Sequence, residues 1–218
     1  MVLVYDADGR EEETDMVIAS EHVTSEAIRI LRKDAGGLVC TTADTSIQKA
    51  LGLPFLSELF LGMAEHYPVM RHLIPNDIPY DVKSAFGITI NHRRTFTGIT
   101  DDDRALTVKE FAELSRRALT SEDGWAKKEF GMNFRAPGHI HLLNTSEKIL
   151  ESRFGHTELA TALVIMAGLV PSATVCEMMG DDGKALLKEK ARAYSKDHGL
   201  TFLEGAEIIQ AWRESRKR

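Results

Sequence analysis

The pattern of apolar and polar positions at the N-terminus predicts two strands joined by an acidic loop. Apolar residues fill positions 2–5 and 16–19, and a polar segment separates the two runs. Short β-rich runs bounded by polar turns are typical of strands. We therefore predict strands at 1–5 and 15–20, with six carboxylates and one arginine among the ten residues 6–15.

Apolar residues recur at helical spacing in several later segments. The segment 24–37 predicts a helix, because it starts with Thr24 and Ser25, either of which can cap a helix, and ends with two glycines. Three aspartates at 101–103 predict a helix start, because carboxylates are favoured at helix N-termini. The nearly all-apolar segment 157–168 predicts a buried helix that ends at Gly168. Surface helices are also predicted at 182–199 and 203–214.

The remaining β-rich segments complete a mixed architecture. Residues 84–92 alternate and predict a strand, and Pro137-Gly138 predicts a turn. The apolar segment 54–79 holds four prolines and predicts one short helix and a surface loop. Further strands are predicted at 37–42, 138–144 and 173–179. Because strands and helices alternate without a regular βαβ rhythm, we predict an α+β fold, with a mixed sheet surrounded by helices in a single domain, 1–218.

Composition and charge narrow the class of protein. The chain has 218 residues, of which 43% are hydrophobic and 28% charged, and its net charge is −6. An acidic balance argues against a nucleic-acid binder, which needs a basic face. No apolar run approaches the roughly 20 residues that span a bilayer, and no signal peptide is evident. Cys40 and Cys176 form neither a metal motif nor a disulfide framework, so we expect a cytoplasmic protein without a membrane or nucleic-acid partner.

The acidic loop is the first candidate for chemistry. Glu11 and Glu13 are two residues apart, so in extended chain both side chains project to the same side. Two carboxylates on one side suit Mg²⁺ or Mn²⁺. Arg10 beside them can orient a carboxylate or bind an anion. The alternative interpretation is a solvent-exposed loop, which is the usual fate of a charge run.

The start of the predicted buried helix is the second candidate. Helix N-termini offer free N–H groups and positive potential to an anion. Gly155 permits close approach to the backbone, Thr157 adds a hydroxyl and Arg153 adds a fork of donors. This combination predicts a site for a phosphate monoester, with His156 able to bind a metal. The alternative is that Thr157 only caps the helix and that Arg153 lies on the surface.

Two more residues have acid–base potential. His139 follows the Pro137-Gly138 pair and shares a strand face with His141. Glu177 is a carboxylate in an apolar strand, where it needs a partner or its pKa rises. A structural hydrogen bond for His139 and a plain salt bridge for Glu177 remain open alternatives.

Six motifs in sequence order resemble those of one enzyme family. They are "REEETD" at 10–15, "GLVC" at 37–40, "TGITDDDRA" at 97–105, "RAPGH" at 135–139, "GHTE" at 155–158 and "CE" at 176–177. The family is 3,4-dihydroxy-2-butanone-4-phosphate synthase, an enzyme of riboflavin biosynthesis. The resemblance runs from the first strand to about Glu207. Departures from the bacterial pattern are Gly9, Glu12, Thr14, Phe96, Ala136 and a longer 53–79 connection.

The resemblance implies an activity and a site. The reaction is the conversion of D-ribulose 5-phosphate to L-3,4-dihydroxy-2-butanone 4-phosphate and formate. It depends on Mg²⁺ or Mn²⁺, as one ion or a pair, with Glu11 and His156 as ligands. By the same resemblance, His139 and Glu177 are catalytic, with Glu13 or Asp15 in proton transfer. The substrate-binding residues it implies are Arg10, Glu11, Asp15, Arg153, Phe154, Gly155, His156 and Thr157.

The resemblance also implies a homodimer with active sites near the interface, so that His139 can come from the partner subunit. The sequence leaves two alternative functions open. One is another metal-dependent sugar-phosphate isomerase or aldolase that shares the enediolate step. The other is a non-catalytic RNA-binding module on a related fold, which the acidic balance and the lack of aromatic residues paired with basic ones disfavour.

Overall fold

A seven-stranded mixed sheet organises the computed structural model, which describes residues 1–75, 77–120 and 124–217. Asn76, inside the predicted 54–79 loop, and Arg218, at the end of the predicted domain, lie outside the described residues. The strands are β1 Val2–Tyr5, β2 Thr14–Ala19, β3 Cys40–Ala43, β4 Phe86–His92, β5 Phe134–Asn144, β6 Ala173–Glu177 and β7 Thr201–Glu204. Their order is β4-β5-β3-β6-β2-β1-β7, with β1–β7 and β3–β5 parallel and the other pairs antiparallel. The predicted α+β class is thus confirmed.

Helices cover both faces of the sheet. They are α1 Ser25–Asp34, α2 Thr45–Leu51, α3 Leu56–Gly62, α4 Asp101–Ala118, α5 Trp125–Asn133, α6 His156–Met166, α7 Lys188–Asp197 and α8 Gly205–Ser215. Successive strand residues point to opposite faces. Leu3 therefore belongs to the core cluster that contains Phe111 of α4, while Val4 belongs to the cluster that contains Leu159 of α6. None of the described helices combines the length and apolarity needed to cross a bilayer.

Local signals placed the best-defined elements correctly. The Thr24 hydroxyl accepts a hydrogen bond from the Ala27 amide at 3.1 Å and so caps α1. Helix α6 ends at Met166, and Gly168 follows with a φ of 70°, a conformation that favours glycine. Most of α6 is buried, as its apolar sequence predicts.

The predicted turn at Pro137-Gly138 is wrong, because β5 continues through it from Phe134 to Asn144. Here β4 and β5 approach closely and their pairing shifts register between Ile90 and Asn91. A Cβ on Gly138 would lie 2.0 Å from the Ile90 carbonyl carbon. Gly138 therefore serves close strand approach and does not mark a turn.

Other elements escaped the sequence patterns. Helices α2 and α5 and strand β7 were not predicted, and the helix expected from residue 182 begins only at Lys188. Before it, the chain makes an isolated bridge between Met179 and Ala185. Strand β7 has four residues and depends on parallel pairing with β1 near the opposite end of the chain.

Replacement of Phe111 by Ala tests the helical layer over the sheet. Phe111 is fully buried, with its ring centroid 6.4 Å from those of Phe130 and Phe134. The variant should lose about 3–5 kcal/mol in the free energy of unfolding, measured by urea titration. Phe96→Ala is the control, because Phe96 is 94% exposed and should change that energy by less than about 0.5 kcal/mol. Equal losses in the two variants would contradict the assignment of the core.

Candidate active site

Two neighbouring strands bring a pair of carboxylates to one face of the sheet. Asp15 of β2 lies opposite Glu177 of β6 in antiparallel register. Val17 and Val175, two residues further along each strand, pack in the cluster beneath α6. Because side chains two apart share a face, Asp15 and Glu177 point to that same side. The side chain of Asp15 is almost completely buried.

Asp6 organises the acidic loop from inside. Its side chain is buried, and its two oxygens accept hydrogen bonds from the amides of Glu11 at 3.0 Å and Glu13 at 3.1 Å. It also pairs with Arg10 at 3.2 Å. These contacts offset the repulsion within the loop and fix Glu11 beside α6. The site assignments from sequence did not include Asp6, although a strand-end aspartate ahead of a turn is a known hydrogen-bonding signal.

The loop and α6 meet at His156. Its Nδ1 lies 3.0 Å from Oε2 of Glu11, and its Nε2 lies 3.6 Å from Oδ1 of Asp15. Neither Nε2 of His156 nor Oδ1 of Asp15 has a hydrogen-bond partner within the described parts of the chain, although both atoms are buried. Unpaired buried polar atoms are costly, so this arrangement indicates a place for a ligand or a shared proton.

The same residues pass a chemical test for a divalent metal. Ligand atoms of Asp6, Glu11 and His156 lie within 4.8 Å of one another. Carboxylate oxygens suit Mg²⁺ or Mn²⁺, and a neutral imidazole nitrogen is a common metal ligand. Because the Asp6 oxygens already accept two amides and a guanidinium, Glu11 and His156 are the better ligands. This meeting of Glu11 with His156 is the one that the family resemblance implies.

Electrostatics in this cluster favours bound protons near neutral pH. Burial raises the pKa of Asp15 to about 8, and the charge of His156 offsets this only in part. Burial acts the other way on His156, but Asp15 and the hydrogen-bonded Glu11 outweigh it and raise its pKa to about 9. Burial also raises the pKa of Glu13, with help from Glu11 and Glu177. Shifts of this kind are typical of proton-transfer sites.

Two arginines lie beside the start of α6. Arg153 pairs with Glu158 at 2.7 Å and Asp81 at 2.5 Å, and Arg10 also pairs with Asp81, at 3.1 Å. A Cβ on Gly155 would lie 2.7 Å from Nη2 of Arg10 and 3.1 Å from Nη1 of Arg153. The guanidinium groups therefore converge at a glycine at the helix N-terminus, which is an arrangement suited to anions.

These features border a cavity of about 150 Å³. Seven residues singled out from the sequence line it, namely Glu11, Glu13, Asp15, Arg153, His156, Thr157 and Glu177. Residues 78–86 supply another part of its wall, including Tyr80 and Asp81. No local pattern marked Asp81, because its arginine partners are 71 and 72 residues away along the chain.

Four predicted residues do not line this cavity within the subunit. Arg10 and Gly155 lie beside its arginine-lined end, and the other two are His139 and Phe154. His139 is exposed in the middle of β5, where Asn91 accepts its amide hydrogen at 2.8 Å and also contacts its Nδ1. Phe154 is 44% exposed and borders a separate groove with Ile209 and Gln210 of α8. Neither Phe154 nor His139 therefore belongs to the cavity of its own subunit.

Comparisons with known proteins agree over nearly the whole chain. The family model for 3,4-dihydroxy-2-butanone 4-phosphate synthase matches residues 1–211. A protein of that name from Methanothermobacter thermautotrophicus is 48% identical over 99% of this chain and 92% of its own length. Its counterpart in Methanosarcina mazei is 44% identical, over 97% of this chain and 85% of its own length.

Solved structures of proteins with this name share the fold. The Candida albicans synthase superposes with a TM-score of 0.72 at 27% identity, covering 96% of this chain and 89% of that one. A synthase in complex with two magnesium ions gives 0.76 at 24% identity, covering 99% and 91%, a likeness that concerns the fold. The family anticipated from six short motifs is thereby confirmed. The chain belongs to the 3,4-dihydroxy-2-butanone 4-phosphate synthase family, a family of lyases in riboflavin biosynthesis.

Proposed function

We propose that the protein converts D-ribulose 5-phosphate to L-3,4-dihydroxy-2-butanone 4-phosphate and formate, in the cytoplasm. The observation that carries the proposal is the meeting of Glu11, Asp15 and His156 in one cavity beside two arginines. A phosphorylated ketose needs both halves of such a site. The acidic half handles protons and the polarised sugar oxygens, and the basic half holds the phosphate.

Glu11 and His156 would hold Mg²⁺ or Mn²⁺, as one ion or one of a pair. Support comes from the donor set and from the buried Nε2 of His156, which has no hydrogen-bond partner among the residues that the structure describes. The related synthase named as a complex with two magnesium ions adds to it. A bound divalent cation supplies charge stabilisation for neighbouring oxygens of the sugar. Arg10 lies 3.1 Å from Oε1 of Glu11 and helps to orient that carboxylate.

The phosphate is assigned to the start of α6. Arg153 contributes guanidinium donors and Thr157 a hydroxyl at the cavity wall, and the missing Cβ of Gly155 lets the Arg10 and Arg153 guanidinium groups reach the helix start. The positive end of the α6 dipole adds to the attraction for a dianion. This position fixes the phosphate at one end of the cavity, so that the sugar extends toward Asp15 and Glu177.

Proton transfer is assigned to the buried carboxylates. With its pKa raised to about 8, Asp15 can be protonated or ionised near neutral pH, as an acid–base group requires. The raised pKa of Glu13 gives it a similar capacity at a less buried position. Glu177 lines the cavity beside Asp15 and is suited to hold a sugar hydroxyl during the rearrangement.

We assign His139 to the active site of a partner subunit. His139 is exposed and does not line the cavity of its own subunit, yet it lies on a strand that ends near the site. A two-fold symmetric homodimer with sites at its interface would place each His139 at the cavity of the other subunit.

Chelation gives the first test of the metal assignment. Treatment with EDTA should lower formate release from D-ribulose 5-phosphate by about a hundredfold or more, since the developing charge loses its counterion. Added Mg²⁺ or Mn²⁺ should restore it, as measured with a formate assay. Activity that persists through exhaustive chelation would contradict a metal-dependent reaction.

His156→Ala tests the ligand itself. Turnover should fall by at least about a hundredfold, with the circular dichroism spectrum and thermal midpoint close to those of the parent. His198→Ala is the matched control, because His198 is exposed and does not line the cavity. The assignment fails if His156→Ala retains the parent rate while His198→Ala behaves as expected.

Mixing two inactive variants tests the origin of His139. His139→Ala and His156→Ala should each be inactive alone. After subunit exchange, half of the dimers contain one chain of each, and one of their two sites is intact. The mixture should therefore recover about a quarter of the parent activity, measured as formate release. If His139 acted within its own subunit, no site would be restored and the mixture would remain inactive.

A further inference from the structure

A single carboxylate oxygen of Asp81 holds both arginines of the proposed phosphate end. Oδ2 accepts a hydrogen bond from Nε of Arg153 at 2.5 Å and from Nη2 of Arg10 at 3.1 Å. The other oxygen accepts the amide of Val82 at 2.8 Å. The Asp81 side chain is only 8% exposed, so this ion triplet is largely shielded from water. Charge-assisted pairs in such surroundings are strong.

Asp81 is the exchangeable partner of these arginines. Their other ion pairs are with Asp6, Glu11 and Glu158, which belong to the loop and helix that build the site. Asp81 instead belongs to the long connection between α2 and β4. Helix α3 in that connection buries none of its residues, and Val82 is 96% exposed. Segments with few buried contacts move at low energetic cost.

Asp81 and Arg153 form part of the wall between two cavities, together with Lys83, Ser84 and Ala85. All five residues line the active-site cavity, and all five line a neighbouring cavity of about 450 Å³ that includes Gln48 and Ser146. Movement of Asp81 away from Arg153 would therefore open part of this wall beside the start of α6.

We propose that Asp81 is an internal competitor for the phosphate subsite, which positions Arg10 and Arg153 in the free enzyme and is displaced by the phosphate of the substrate. The inference rests on the proposed function for the identity of that substrate. A phosphate monoester carries about −1.5 to −2 charge and three acceptor oxygens, against one charge and two oxygens for a carboxylate. A phosphate thus displaces Asp81, whereas a weak monoanion does not.

The inference predicts that Asp81→Asn binds inorganic phosphate more tightly. The Kd measured by isothermal titration calorimetry should fall about tenfold, which corresponds to about 1.4 kcal/mol. The KM for D-ribulose 5-phosphate should fall in parallel, while kcat does not rise. Glu65→Gln is the matched control, because Glu65 lies in the same connection, is exposed and lines neither cavity. Its phosphate affinity should match that of the parent.

Acetate provides a second measurement. In Asp81→Ala, acetate should take the vacated position and weaken phosphate binding, whereas in the parent the same acetate concentration should change nothing. Thermal melts of each variant without phosphate establish that the fold is retained. An unchanged or higher phosphate Kd in folded Asp81→Asn would overturn the proposal, and so would acetate competition of equal size in the parent and in Asp81→Ala.

These measurements separate the inference from the proposed function. Phosphate affinity is measured from the heat of binding, so the measurement does not depend on catalytic turnover. Tighter phosphate binding in Asp81→Asn, with no formate from D-ribulose 5-phosphate in the parent, would support the competitor role and reject the proposed reaction. Normal formate release, with no gain of phosphate affinity in Asp81→Asn, would reject the competitor role alone.

Discussion

The contact of His156 with Glu11 and Asp15 is the interaction on which the site depends. A buried histidine between two carboxylates is stable only if protons or a cation balance the charge, because isolated buried charges are costly. The sheet fixes Asp15, α6 fixes His156, and the acidic loop brings Glu11. Three separate elements therefore meet at one point, and the chemistry proposed here follows from their meeting.

The acidic loop can hold Glu11 beside His156 because two of its other carboxylates, Asp6 and Asp8, have partners of their own. The Asp6 carboxylate accepts hydrogen bonds from two backbone amides and pairs with Arg10. The Tyr5 hydroxyl donates a hydrogen bond to Asp8 at 2.8 Å. Lys188 lies 3.8 Å from Asp8 and approaches the Tyr5 ring. With these contacts satisfied, Glu11 and Glu13 are left facing the cavity, where their proximity is useful for binding and proton transfer.

Sequence reasoning succeeded where the physical cause is local. Thr24 and Gly168 mark the ends of α1 and α6 through backbone requirements that act over a few residues, and the placement of His156 follows from the second of these helices. It missed α2, although Asp44 and Gly52 cap that helix locally. Otherwise it failed where the cause is distant and no family motif marks it. Strand β7 exists because β1 offers an edge, and Asp81 matters because of arginines some seventy residues away. Neither leaves a trace in the local pattern.

The two ends of the site are held by structural elements that differ in rigidity. Asp15, Glu177 and His156 stand on sheet strands and on a buried helix, which hold catalytic groups more precisely than loops do. The phosphate end shares its arginines with a connection whose helix buries none of its side chains. In the role proposed for Asp81, binding of the phosphate exchanges an internal ion pair for an external one. Its binding energy is then available to reorganise that connection around the sugar, while the acid–base groups remain where the fold put them.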